Sequence, residues 1–247
     1  MKRTAWALVF GFFAAIVVAP AYTGNAGEGG DDPETTQIIN KYLTASQAPS
    51  NTLRGVSMEV EISASVPELQ KHGKLHALQN ISKLGQITYK VLGFQGDDTV
   101  KKDVIARYLS AEQQSQSDNR MAVTPANYKF KFKGRQNLPG GSAAYAFQVS
   151  PRKKAVGLFK GEIWLDADTY LLIFEKGRLV KNPTVFFRQV DFERAFEIKN
   201  GVAIPQHMSS VIDTRLVGRI ELNIDYSNFE PETDPDRSAL STMLWPQ

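Results

Sequence analysis

The chain has 247 residues, no cysteine, and 29 Lys and Arg residues against 26 Asp and Glu residues, which gives a formal net charge of +3. The lack of cysteine excludes disulfides, thiol catalysis and thiolate metal sites. Because basic and acidic residues are nearly equal in number, the composition argues against a nucleic-acid surface, which needs clustered basic residues. The length suits one large domain or two small ones and is enough to bury an ordinary hydrophobic core.

The first 21 residues have the three-part layout of a secretory signal peptide. Lys2 and Arg3 form a basic start, residues 5–18 are apolar and uncharged, and residues 19–21 read Ala-Pro-Ala, a small-x-small cleavage pattern. The apolar run is shorter than the about 20 residues that a spanning helix needs, although an uncleaved anchor is the alternative. No cysteine follows it to carry a lipid. Export without disulfides fits a bacterial envelope, so we expect a periplasmic protein that begins near Tyr22 and is not lipidated.

A short helix is predicted after a flexible lead. Residues 22–33 are rich in Gly, Asp and Asn, which are typical of a lead without regular structure. Asp32 can cap the helix and Pro33 suits its first turn. The apolar residues that follow fall on one helical face: Ile38, Ile39, Tyr42 and Leu43.

From Arg54 the hydrophobic period changes to two, which predicts a half-buried strand with one apolar face. Two more strands are expected, over residues 73–81 and 86–94. The apolar positions of the first strand alternate with Ser and Glu residues: Val56, Met58, Val60 and Ile62.

A helix is predicted to interrupt the strands over residues 98–115. Its apolar residues form a narrow stripe, and a stripe this narrow is expected to cover an opening rather than to sit in a core. Residues 113–126 are polar and predict a loop on which the helix can swing. We therefore expect a lid whose inner side is formed by Val100, Val104, Ile105, Tyr108 and Leu109.

Everything after Ala126 predicts consecutive antiparallel strands. Tyr128, Phe130 and Phe132 alternate with lysines, and further strands are expected over residues 143–150, 157–166, 169–180, 184–198, 202–215 and 217–229. Asp166-Ala167-Asp168 and Asn200-Gly201 are hairpin signals. Nine or ten strands in this order, with only two helices, favour an antiparallel sheet over a βαβ fold.

The sequence carries no strong signal for catalysis, and we expect no enzyme activity, no metal and no cofactor. His72 and His76 lie about 13 Å apart along a predicted strand, too far to share one ion. His207 is predicted to be a solvated strand residue. No nucleophile elbow, phosphate-binding loop or dinucleotide motif is present. The lysines at 129, 131 and 133 could attract an anionic head group, but a solvated strand face is the favoured interpretation.

Large apolar residues are concentrated in the second half of the chain. A curved sheet with few helices leaves an apolar cavity or cleft on its concave face, which is the usual form of a lipid site, while a filled core is the alternative. The concentrated residues are Trp164, Tyr170, Leu172, Phe174, Phe186, Phe187, Val190, Phe192 and Phe196.

Two hairpins and the order of elements resemble the LolA-like superfamily of periplasmic lipoprotein carriers, which serve outer-membrane lipoprotein sorting. Residues 161–171 read Gly-Glu-Ile-Trp-Leu-Asp-Ala-Asp-Thr-Tyr-Leu, a strand ending in Trp-Leu-Asp, a tight turn and a return strand. Residues 200–205, Asn-Gly-Val-Ala-Ile-Pro, begin a hairpin similar to the closing hairpins of that group. The likeness spans residues 34–230 and leaves residues 231–247 as a C-terminal tail.

The resemblance implies a mainly β (α+β) domain, an antiparallel and strongly curved open half-barrel of about ten strands with two or so helices covering its concave face. It implies a non-enzymatic carrier of lipoprotein acyl chains or another lipid. We expect the protein to be a monomer. The alternative is an envelope-stress sensor or regulator that binds an envelope membrane protein. We expect the apolar cavity to be lined by Val56, Met58, Val60, Ile62, Tyr128, Phe130, Phe132, Trp164, Tyr170, Leu172 and Phe174, below the lid residues named above.

Overall fold

The computed structural model describes residues 33–47, 53–115, 121–139 and 141–231. The predicted signal peptide, residues 22–32 of the predicted lead and residues 232–247 of the tail lie outside the described residues. Within the described ranges, no helix combines the length and the apolar character needed to cross a bilayer.

Two helical regions form where the sequence predicts them. Helix α1 (Pro33–Gln47) buries its apolar face, with Ile38, Ile39 and Tyr42 in the core. The second region, called the cover helix here, consists of α2 (Asp98–Val100), a π-helical segment (Lys101–Ile105) and α3 (Ala106–Ser115). Its N-terminus is capped because Asp97 accepts hydrogen bonds from the amides of Thr99 and Val100, at 2.7 and 3.3 Å.

Ten strands form one antiparallel sheet in the order β3-β2-β1-β10-β9-β8-β7-β6-β5-β4. Because β3 and β4 are both edges and do not pair, the sheet is not closed, and the predicted open half-barrel is confirmed. The strands are β1 (Val56–Val66), β2 (Lys71–Ile81), β3 (Ile87–Gly96), β4 (Tyr128–Asn137), β5 (Ala143–Pro151), β6 (Phe159–Asp166), β7 (Leu172–Leu179), β8 (Phe187–Lys199), β9 (Val202–Thr214) and β10 (Arg219–Pro231).

Both predicted hairpin signals join neighbouring strands. Asn200 and Gly201 connect β8 to β9 with φ values of 53° and 79°, the left-handed pair that a type I′ turn requires. Residues 167–171 connect β6 to β7, and Oδ1 of Asp166, the last residue of β6, accepts a hydrogen bond from the amide of Thr169 at 2.8 Å. Local turn chemistry therefore fixes these two registers.

The strand connections divide the half-barrel into two ends. The upper end carries residues 67–70, 152–158, 180–186 and 215–218, which join β1–β2, β5–β6, β7–β8 and β9–β10. The lower end carries residues 82–86, 138–139, 141–142, 167–171 and 200–201. The cover helix begins at the upper end, because it follows directly on β3.

The hydrophobic core lies on the inner face of the sheet, beneath the two helices. The pattern of burial in β1 alternates strictly, as its sequence predicts. The cover helix packs against β1, β2 and β3, whereas α1 packs against β4. Each helix thus covers one half of the concave face.

Strands β6 and β7 approach each other closely at a pair of facing glycines, Gly161 and Gly177. A Cβ atom on Gly161 would lie 1.9 Å from the carbonyl oxygen of Lys176. Glycine is therefore required at this position, because any side chain would force the two strands apart.

Candidate functional site: an apolar cavity beside a buried polar cluster

An apolar cavity of about 250 Å³ lies at the upper end, between the start of the cover helix and the sheet. Its wall is formed mainly by aliphatic and aromatic side chains, and Leu69 and Leu216 are 49% and 53% exposed. The cavity therefore opens to solvent between the β1–β2 and β9–β10 connections. Its apolar wall includes Val66, Val100, Val104, Phe186, Phe187, Val217 and Ile220.

The charged groups at this cavity lie in surface ion pairs. The ammonium group of Lys71 lies 3.4 Å from Asp97 and 3.0 Å from the hydroxyl of Thr99. Arg107 pairs with Asp103 one helical turn away, at 3.0 Å. Such exposed pairs contribute little to stability, about 0–1 kcal/mol each. The interior of the cavity is thus left to apolar side chains.

The histidines lie apart from one another on the sheet. Across the part of the chain that the structure describes, no three His, Asp or Glu side chains come together to hold an ion. His76 pairs with Glu59 at 3.1 Å on the outer face. His207 pairs with Asp225 across β9 and β10 at 2.6 Å, a carboxylate partner that the local sequence around His207 does not predict. His72 is exposed.

A carboxylate is buried under the far half of the cover helix. Glu112 is only 2% exposed, and Tyr89 of strand β3 donates its hydroxyl proton to Glu112 Oε2. Gln79 of β2 in turn donates to the Tyr89 hydroxyl at 2.7 Å. Burial raises the pKa of the Glu112 carboxyl, and the hydrogen bond from Tyr89 and the positive charge of Arg194 oppose that rise. The cluster connects the cover helix to the sheet through hydrogen bonds between polar groups that are buried away from water.

A buried ion pair lies on the inner face of the neighbouring strands. Arg194 of β8 donates to Glu175 of β7 at 2.7 Å, and both side chains are largely buried. Arg194 also lies over the ring of Phe192, 5.2 Å from its centroid. Removing either charge would leave the other without a partner in the interior, which is strongly destabilising.

The β1 residues predicted to line a cavity, Val56, Met58, Val60 and Ile62, all lie on the inner face and are buried. They lie under the cover helix and are absent from the wall of the 250 Å³ cavity. That they contact a ligand stays a prediction. The helix would have to move away for that contact to occur.

The aromatic residues of β4 also lie on the inner face. Tyr128 accepts a hydrogen bond from the amide of Phe159 at 3.2 Å. Phe130 and Phe132 pack around Phe147, at ring-centroid distances of 6.3 and 5.1 Å. These residues form part of the core in the half of the sheet that α1 covers, and contact with a ligand stays a prediction for them too.

The expectation that Trp164 and Phe174 face the concave side is wrong. Ile163 and Leu165 are fully buried on the inner face, so Trp164 between them points outward and donates to Glu162. Phe174 pairs with Trp164 and packs against it, with ring centroids 5.2 Å apart and the rings tilted by 50°. The register of β6 and β7 shifts between Trp164 and Leu165, which places Leu172 opposite inner-facing Leu165 while Phe174 points outward.

Tyr170 lies at the lower end beside α1. Its ring stacks on Tyr145 at 5.9 Å between centroids, and its hydroxyl accepts a hydrogen bond from Lys41 at 3.0 Å. Leu172 is half-buried against the core. Neither residue lines the upper cavity, and their role in ligand binding stays a prediction.

The residues predicted for the lid do lie on the inner side of the cover helix. Val100 and Val104 line the cavity, Ile105 and Tyr108 are buried, and Leu109 is half-buried. Sequence reasoning missed the buried carboxylate of the same helix. Glu112 stands four residues after Tyr108, and this spacing puts both residues on the same face of the helix. A charged residue is ordinarily expected on the solvent side, so the spacing alone does not predict burial.

Comparison with known proteins gives a likeness at the level of solved structures. No family model and no curated protein matches the chain. A LolA superfamily protein of Nitrosomonas europaea is similar at 11% identity and a TM-score of 0.35, over 82% of this chain and 95% of that one. An outer membrane lipoprotein-sorting protein domain, described as putative, from Vibrio parahaemolyticus is similar at 9% identity and a TM-score of 0.38, over 84% and 97%. MucB is similar at 13% identity and a TM-score of 0.29, over 86% and 98%.

Proposed function

We propose that the protein is a non-enzymatic carrier of lipid acyl chains in the periplasm, with lipoproteins or another lipid as its cargo. The observation that carries the proposal is the apolar cavity that opens at the upper end of the half-barrel. Removal of apolar surface from water contributes about 0.8 kcal/mol for each buried methylene. An apolar wall with its charges confined to the edge suits an acyl chain better than a polar substrate.

The size of the cavity limits how such a ligand can bind. About 250 Å³ lies just under the range of roughly 300–1,000 Å³ that small-molecule sites occupy. The cavity therefore accepts the end of an acyl chain, and the rest requires more space. That space would open under the cover helix if the helix moved, because the inner-facing residues of β1 form an apolar floor there. We propose that the helix is a lid that moves away from this floor when an acyl chain enters.

The location and the cargo belong to the same proposal. The predicted signal peptide supports export to the periplasm, and the resemblance to lipoprotein-sorting carriers supports a lipidated cargo. A regulator that binds a membrane protein through the same scaffold is the alternative. Lipid that remains bound to the protein through purification separates the two functions.

Substitution of a cavity residue by tryptophan tests the proposal. Val217 lines the cavity in the β9–β10 connection, whereas Val185, in the β7–β8 connection of the same end, is 78% exposed and absent from the cavity wall. V217W should fill part of the cavity and displace one or two methylenes of a fluorescent 16-carbon fatty acid, which weakens binding by about tenfold. V185W is the matched control and should bind like the wild type.

Two results would overturn the proposal. One is that the fatty acid does not bind to the wild-type protein, and that mass spectrometry finds no lipid in gently purified material. The other is that V217W and V185W bind the fatty acid with equal affinity. Circular dichroism of both variants should show an intact fold, so that loss of binding is not loss of structure.

A further inference from the structure

The upper end exposes one large apolar side chain in each of its four strand connections. These are Leu69, Val156, Val185 and Leu216, between 39% and 78% exposed. At the lower end, Leu84 is the one large apolar residue of comparable exposure among the described residues. Single exposed apolar residues are ordinary on a protein surface, but four in the connections of one end give that end apolar groups that a partner can cover.

The same four connections are basic. They contain five cations and one anion, whereas the four connections of the lower end contain one of each. The start of the cover helix, residues 97–107, adds three charges of each sign. The anion, Glu68, accepts a hydrogen bond from the backbone amide of Arg219 at 2.9 Å. The cations of the four connections are Arg152, Lys153, Lys154, Lys181 and Arg215.

The most exposed of these apolar residues is held in place by a neighbouring connection. Arg215 donates from Nε to the carbonyl oxygen of Val185 at 2.9 Å, and its amide donates to the carbonyl oxygen of Phe186 at 2.9 Å. Among the described residues, Lys153, Lys154 and Lys181 form no ion pair, so their ammonium groups are available to an outside partner. The end thus combines a fixed apolar tip with unpaired cations.

We infer that the upper end docks on the surface of an anionic lipid bilayer. The four apolar side chains would enter the head-group region, while the lysines and arginines beside them lie against lipid phosphates. Long cationic side chains can keep their ammonium groups at that depth while their stems lie along apolar surface. Charge complementarity favours an anionic membrane, because the exposed apolar side chains and the basic residues lie at the same end. The inference goes beyond the carrier proposal and does not require it, although docking would direct the mouth of the cavity towards the bilayer.

Sedimentation with vesicles tests this docking. The wild-type protein should bind vesicles of about three parts phosphatidylcholine to one part phosphatidylglycerol, and should not bind vesicles of phosphatidylcholine alone. Added salt should weaken the binding, because screening shortens the range of the attraction. The double variant K153E/K154E should lower the partition coefficient on the anionic vesicles by about thirtyfold or more. V185S should lower it by about tenfold.

The lower end supplies a matched control. K83E/L84S reverses one charge and removes one highly exposed apolar side chain, and it should leave vesicle binding within about twofold of the wild type. Its comparison is K181E/V185S, which likewise reverses the charge of one lysine and removes one highly exposed apolar side chain, but at the upper end. Equal losses of vesicle binding in the two double variants would overturn the inference. Failure of the wild-type protein to bind anionic vesicles would also overturn it, and is the result expected if this end binds an acidic protein instead. Fatty-acid binding that persists without vesicle binding would refute docking alone, and vesicle binding without fatty-acid binding would refute the carrier alone.

Discussion

Substitution of Glu112 by glutamine should change how the stability of the protein depends on pH. In the native protein this carboxyl is buried, and burial raises its pKa above the ordinary value of 4.5. In the unfolded chain the carboxyl is in water and titrates normally. Between the two pKa values the native state holds a proton that the unfolded state has lost. Raising the pH through this window therefore lowers the free energy of unfolding.

The size of the effect follows from proton linkage. One proton of difference gives a slope of at most about 1.4 kcal/mol per pH unit. At a pH below the pKa of the unfolded chain, Glu112 is protonated in both states, and its ionisation takes nothing from the free energy of unfolding. Glutamine cannot ionise, yet its amide oxygen can still accept the hydrogen bond from Tyr89. E112Q should therefore match the wild type within about 1 kcal/mol at acid pH and exceed it at neutral and alkaline pH.

Urea unfolding followed by far-ultraviolet circular dichroism, between about pH 4.5 and 8, measures the difference directly. Other titrating groups contribute equally to both proteins, so the difference between them isolates Glu112. E193Q, at an exposed position of β8, is the control and should run parallel to the wild type. Parallel profiles for E112Q and the wild type would refute the reasoning. E112A should cost about 2–5 kcal/mol at acid pH, because it leaves the Tyr89 hydroxyl without its acceptor and opens a cavity. The cost should fall as the pH rises, because alanine, like glutamine, does not ionise.

Three further outcomes follow from the sequence and the structure. N-terminal sequencing of protein extracted from the envelope should begin near Tyr22, and recovery of the intact chain in membrane pellets would contradict cleavage. V104D should raise hydrogen exchange of the cover helix and reduce lipid retention without unfolding the strands; a wild-type helix as protected as the strands, and indifferent to lipid, would be a fixed element. G161A should lose several kcal/mol of stability because its Cβ meets a β7 carbonyl, whereas G93A, with open space around it, should change stability by less than about 1 kcal/mol.

Local periodicity was enough to predict the elements of the fold. The alternation in β1 and β4 and the Asn200-Gly201 turn depend on residues that are neighbours in the chain, so each could be interpreted without its partners. The same holds for the inner face of α1 and for the apolar stripe of the cover helix. Nine or ten predicted strands with only two helices favoured an antiparallel sheet, because that architecture can bury the apolar face of every strand.

The location of the candidate site depended on contacts between distant parts of the chain. A register shift between β6 and β7 turns Phe174 away from the face that Leu172 shares with the core, and alternation by itself cannot reveal a bulge. Glu112 is buried under the cover helix, where Tyr89 of β3 donates a hydrogen bond to it and Gln79 of β2 donates one to Tyr89.

The two features on which function is argued arise in the same way. The cavity and the apolar, basic upper end are built from connections that lie up to about 150 residues apart in sequence. Hydrophobic periodicity is a property of residues that are neighbours in sequence, and it indicates which side of a helix or strand is apolar. Which other element covers that side, and which loops meet at one end, is decided when the sheet pairs its strands.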